Sequence, residues 1–124
     1  MIINPGIKFS CEKIVTKADT ANSYGSGLVE VFATPAMIAL MEKTCMESVK
    51  EIIPEDYTTV GTQVNINHIK PTFVGMKVIC ESELIETDNK KLLFKVIAFD
   101  NQGEIGNGFH TRVVVNKEKF ISKQ

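Results

Sequence analysis

"VFATPAMIALMEKTC", Val31 to Cys45, decides how the rest of the chain is read. Thr34 can cap the free backbone N–H groups of a helix start, and Pro35 suits the first helical position, where its missing donor costs nothing. The spacing of the apolar residues predicts a helix from there to about Ile53. Pro54 and the polar "EDY" end it, because the residue before a proline resists helical geometry. On a wheel of ~100° per residue, Ile38, Met41, Cys45, Val49 and Ile52 share one stripe, with Lys43, Glu47, Lys50 and Glu51 opposite. Glu42 falls inside the apolar stripe, between Ile38 and Cys45. A carboxylate aimed into a core must be protonated or find donors. The alternative is a stripe-edge residue whose flexible stem carries its head to water.

Upstream, "IKFSCEKIVT" is rich in β-branched residues and reads as a first strand. "ADTANSYGSG" breaks that pattern and reads as a mobile loop, from which "LVEVFA" leads toward the helix. Downstream come four β-like segments, "TVGTQVNINHIKPTF", "MKVICESELIET", "KLLFKVIAFD" and "IGNGFHTRVVVN". The connections "TDNKK" and "DNQGE" have hairpin length and predict an antiparallel meander. The order is strand, helix, four strands, an α+β arrangement in which one helix must cover a five-stranded sheet. Five strands at ~4.8 Å make a sheet about 20 Å wide, whereas a helix is only ~10–12 Å across. The sheet must curl, recruit a second subunit, or do both.

At 124 residues the chain is expected to form one domain, residues 1–124. A net charge of -1, with Arg112 the only arginine among 14 basic residues, gives no footprint for nucleic acid. No apolar run approaches the ~18 residues of a membrane span, and the opening "MIINPGIKFS" has neither the basic nor the apolar part of a secretory leader. A cytoplasmic protein, off the membrane, is expected. Cys11, Cys45 and Cys80 are odd in number with no CxxC pair, which signals neither a disulfide framework nor a metal site. Cys45 lies on the apolar stripe, where packing is the expected role rather than nucleophilic attack.

Alternation along "VGTQVNINHIK" points Val60, Thr62, Val64, Ile66 and His68 one way and Gly61, Gln63, Asn65 and Asn67 the other. His68 therefore lies on the apolar face, so an inward His and an inward Glu42 enter the same interior. Histidine is suited to proton transfer near neutral pH, and a carboxylate can orient it, act as base or attack as nucleophile. Thr34 adds a hydroxyl, and capping does not exclude polarising a substrate. Gly61 can admit a substrate close to the backbone and leave an N–H for an oxyanion, or mark a bulge in a curled strand. In the last strand His110 and Arg112 share a phase opposite to Phe109, Thr111 and Val113. Solvated residues are the default there, with a phosphate contact for Arg112 the sharper option.

"EVFATPAMIALMEKTC", "VGTQVNINHIKPTFVGMKV" and "EIGNGFHTRVVVNKEKF" together resemble the hotdog-fold acyl-CoA thioesterases, and within them the fluoroacetyl-CoA thioesterase group. The likeness covers nearly the whole chain. It implies a long central helix wrapped by a curved antiparallel five-stranded sheet, paired edge to edge into a homodimer, with a dimer of dimers as a further option and active sites at the interface. The family's catalytic Thr, Glu and His match Thr34, Glu42 and His68, its glycine beside the thioester matches Gly61, and its CoA-associated basic residue matches Arg112. The family's phenylalanine gate aligns with Leu28, so a broader short-chain acyl-CoA substrate is expected. The implied reaction is hydrolysis to free acid and CoA, with no cofactor or metal, since CoA is part of the substrate. The alternative is a non-catalytic acyl-CoA-binding or sensing module, because fold alone does not fix function.

Overall fold

The computed structural model describes residues 1–123. In chain order they form β1 (Lys8–Ile14), α1 (Ala21–Tyr24), α2 (Thr34–Val49), β2 (Tyr57–His68), β3 (Lys77–Thr87), β4 (Lys91–Asp100), β5 (Gly103–Asn116) and α3 (Lys117–Ser122). The segment expected to be a loop carries short helical turns instead. Asp19 Oδ2 accepts hydrogen bonds from the Thr16 backbone N–H at 2.8 Å and the Thr16 hydroxyl at 2.9 Å, which fixes a 3₁₀ turn over Lys17–Asp19. α1 follows and stops at Gly25, whose φ of 76° is left-handed.

The long helix starts as the sequence predicts but with a different cap. Ala33 holds the N-cap position, and Thr34 is already helical with Pro35 behind it. Thr34 therefore spends its hydroxyl elsewhere. α2 ends at Val49 rather than near Ile53. There the Ile52 N–H bonds the Val49 carbonyl at 3.0 Å, a tighter turn that tucks Ile53 into the core ahead of Pro54. Ala36, Met37, Leu40, Met41, Thr44, Cys45 and Val49 are the buried residues, so the true stripe is rotated from the expected one. Ile38 is half-buried and Ile52 is 43% exposed. Glu42 consequently sits at the stripe's edge, half-buried.

All five strands join one antiparallel sheet in the order β1-β3-β4-β5-β2. The meander is real for β3, β4 and β5, but β2 pairs with β5 rather than with β3 and becomes an edge. Register shifts at Gly61/Gln63, Leu84/Glu86 and Ala98/Phe99 insert bulges, which bend strands and increase their twist. This curl answers the mismatch of widths. Val78, Cys80, Leu84, Leu92, Phe94, Val96 and Ile105 of the sheet close on Met37, Met41, Cys45 and Val49 of α2. Fully burying side chains of this size stabilises the fold by about 1.5–3 kcal/mol each. Cys45 is 0% exposed and burial pushes its thiol pKa far up, so it is a packing residue. α3, which the sequence reading did not foresee, is capped by Asn116, whose side chain accepts from the Lys119 N–H at 3.0 Å.

Candidate active site

The bulge in β2 decides which side chains face the helix. Gly61 stands opposite Arg112 and Gln63 opposite Thr111, so the strand skips a residue at Thr62. Strict alternation had put Gly61 on the face away from His68. With the extra residue, Gly61 shares the inner face with Val64, Ile66 and His68, paired across from Arg112, His110, Gly108 and Gly106. The bulge reading of Gly61 therefore stands together with a close-approach role. A Cβ built on it would lie 2.9 Å from Glu42 Oε2, 3.0 Å from His110 Cε1 and 3.4 Å from Arg112 Nη1. No larger residue leaves room for these three groups to meet.

His110 and Arg112 are 1% and 6% exposed, which overturns their reading as solvated strand residues. The reason lies on the same face, where Gly106 removes the side chain that would keep α2 away. A Cβ on Gly106 would sit 2.6 Å from the Met37 side chain. Arg112 Nε donates to Thr59 Oγ1 at 2.8 Å, Nη2 to the Thr59 carbonyl at 2.9 Å, and Nη1 to His110 Nε2 at 3.1 Å. His110 Nδ1 is 2.8 Å from the Gln63 carbonyl. A carbonyl only accepts and a guanidinium only donates, so His110 is neutral with its proton on Nδ1. Burial holds its pKa below the usual histidine value, and the Arg112 charge adds to this against the Gln63 bond. Glu42 makes no hydrogen bond or ion pair among the described residues, although it stands beside this cluster.

Thr34 and His68 form a second group. Thr34 Oγ1 and His68 Nδ1 are hydrogen-bonded at 2.8 Å. Burial lowers the His68 pKa, so the ring is neutral at pH 7, and its Nε2 is shielded from solvent with no partner among the described residues. The pair opens on a cleft of about 300 Å³ lined by Val31, Phe32, Ile69 and Pro71 among others. Glu42 is eight residues along α2 from Thr34, about 12 Å of helix rise. The chain thus brings Thr34 to His68 and Glu42 to Gly61 and Arg112, but it does not bring Glu42 to His68. Leu28 lines neither group and is 98% exposed.

A helix wrapped by this sheet, with a hydroxyl–imidazole pair and an inward carboxylate, defines a hotdog-fold thioesterase. The model of the family of the fluoroacetyl-CoA-specific thioesterase matches residues 15–118. The fluoroacetyl-CoA thioesterase of Streptantibioticus cattleyicolor is 35% identical over 94 residues, 76% of this chain and 68% of its own length. A solved structure of a fluoroacetyl-CoA thioesterase superposes with a TM-score of 0.92 at 29% identity, covering 99% of this chain and 96% of that one. A Thermus thermophilus protein of the thioesterase superfamily shares the fold, with a TM-score of 0.90 at 23% identity over 98% of this chain and 90% of its own. The chain belongs to the fluoroacetyl-CoA-specific thioesterase family and is an acyl-CoA thioester hydrolase.

Proposed function

We propose that the protein hydrolyses short-chain acyl-CoA thioesters through sites shared between two copies of the chain. The observation that supports this reading most is the Glu42 carboxylate beside Gly61, unpaired among the described residues, separated from a buried His68 Nε2 that is unpaired among them too. β2 is an edge strand exposed from Gly61 to Asn65, and such edges pair readily. Two copies joined antiparallel about Asn65 place Gly61 of one opposite His68 of the other once each bulge absorbs its extra residue, and both residues then lie on inner faces. Each site of the homodimer takes Glu42 and Gly61 from one protomer and Thr34 and His68 from the other.

In this arrangement Glu42 attacks the thioester carbonyl, or deprotonates the attacking water, while the Gly61 backbone N–H steadies the oxyanion. His68, positioned by Thr34, accepts a proton from the attacking water as a neutral imidazole and passes it to the departing CoA thiolate. The oxygen of water ends in the acid, its protons are shared between acid and thiol, and the step draws on no metal or cofactor. Leu28 replaces the family's aromatic gate with a smaller aliphatic side chain, which supports a range of short acyl groups. No helix is long and apolar enough to cross a membrane. Free Cys11, Cys45 and Cys80 suit the reducing cytoplasm, where we place the reaction.

The test measures free CoA released from acetyl-, propionyl-, butyryl-, longer-chain and aryl-CoA. Turnover is expected to be highest on the short acyl groups. Binding without turnover of any thioester would favour an acyl-CoA sensor instead. Mixing Glu42→Gln protomers with His68→Ala protomers tests the shared site, because random pairing rebuilds roughly a quarter of the sites intact. No recovered activity after subunit exchange would return both residues to one chain.

A further inference from the structure

A guanidinium buried beside a carboxylate ordinarily closes on it, because the bidentate pair is among the strongest side-chain contacts available. Arg112 does not do so. Its Nη1 and Glu42 Oε2 both border the space that a Gly61 Cβ would fill, yet no ion pair joins them among the described residues. The guanidinium is instead drawn the other way by three acceptors, Thr59 Oγ1, the Thr59 carbonyl and His110 Nε2. Of these only His110 takes Nη1, the nitrogen bordering the gap toward Glu42. His110 is itself fixed from behind by the Gln63 carbonyl, at the bulge.

We infer that His110 is a positioning residue, a neutral latch that holds Arg112 off Glu42 so that the carboxylate keeps its oxygens for the substrate. The inference rests on Glu42 being the reacting carboxylate. The latch explains why the last strand carries a buried histidine whose two nitrogens both bond protein groups. It also gives the bulge at Thr62 a second function, since the Gln63 carbonyl it presents orients the imidazole with Nε2 toward Arg112. Glu42 and Cys45 of α2 are the ionisable groups that face the guanidinium from the helix, and Cys45 is a neutral thiol. Releasing Nη1 therefore leaves Glu42 as the one charged acceptor within reach. Arg112 then neutralises and covers the carboxylate.

The two nitrogens of the ring can be tested separately. In His110→Asn the amide reaches only as far as Nδ1 does, which keeps the Gln63 bond and abandons Arg112. In His110→Gln the amide oxygen reaches the Nε2 position and keeps Arg112 while losing Gln63. For His110→Asn a crystal structure is expected to show Arg112 paired with Glu42, and kcat for acetyl-CoA to fall about 10²-fold with KM within a factor of about two. His110→Gln is expected to keep most of kcat. Arg112 remaining on Thr59 in the Asn variant, or unchanged kcat once it has moved, overturns the inference. If the Asn variant does not fold, a comparable kcat loss in His110→Gln with unchanged Tm also overturns it. Because the Arg112 position is read from a structure, it separates this inference from the wider reading, which fails only if no acyl-CoA is hydrolysed.

Discussion

The two halves of the site are built in opposite ways. Around Arg112 nearly every polar atom is committed: three guanidinium bonds, both histidine nitrogens and a glycine with no room for a Cβ. Around His68, among the described residues, there is one side-chain bond, to Thr34, with the Lys70 backbone close by and a shielded Nε2 that makes no hydrogen bond. The first half fixes a charge, which requires geometry that does not relax. In the proposed mechanism the second half moves a proton, which suits a group left incomplete until substrate arrives.

This contrast can be broken at either end. The largest loss is expected at the junction with substrate: Glu42→Gln should lower kcat by about 10³-fold or more with little change in Tm, because Glu42 has no hydrogen bond or ion pair to lose among the described residues. Retained activity would remove Glu42 from the chemistry. His68→Ala should cost about 10²–10³-fold. The intact enzyme should hold its activity to below pH 6.5, the ordinary histidine value, since burial depresses the His68 pKa and keeps the ring neutral there. An acid limb above that value would contradict the neutral imidazole.

Gly61→Ala tests the fixed half. A methyl 2.9 Å from Glu42 Oε2 and 3.0 Å from His110 Cε1 must displace one of them, with about 1–3 kcal/mol of stability and at least tenfold in kcat expected to go. Equal activity and Tm would show that the cradle is looser than its geometry. Stability should also fall as pH drops below about 6.5. Both histidines have folded pKa values below that of the unfolded chain, so the unfolded state takes up more protons and gains ground on acidification. Urea unfolding at pH 5 and pH 7.5 reads the difference. The smallest effect belongs to Leu28→Phe: at 98% exposure it should change Tm by less than about 1 °C while shifting preference among short acyl groups. An unaltered acyl profile would separate Leu28 from selectivity.

Much of the fold was legible because its signals are local. Pro35 and Pro54 bracket the helix, and "KLLFKVIAFD" coincides with β4 at Lys91–Asp100. The pairing of β2 was not legible, since a hairpin rule speaks only of neighbours and β2 pairs with the last strand. The site was half legible. Thr34 and His68 were expected to act together and do meet, whereas the expected contact between Glu42 and His68 is absent within the chain. His110 and Arg112 were misplaced as solvated residues, although the glycine at 106, in their phase, was a readable sign that this face lies close against another element.

The sequence by itself determined that a hydroxyl stands at the start of one helix, a carboxylate on or beside its apolar stripe and an imidazole on the apolar phase of one strand, because periodicity is a property of the backbone alone. Which of them touch was decided by the tertiary structure. A single extra residue at Thr62 reverses the face of Gly61, and the pairing of β2 with β5 then sets His110 and Arg112 beside Glu42. Neither the bulge nor the edge pairing leaves a periodic trace, since both arise from where two distant strands fall into register.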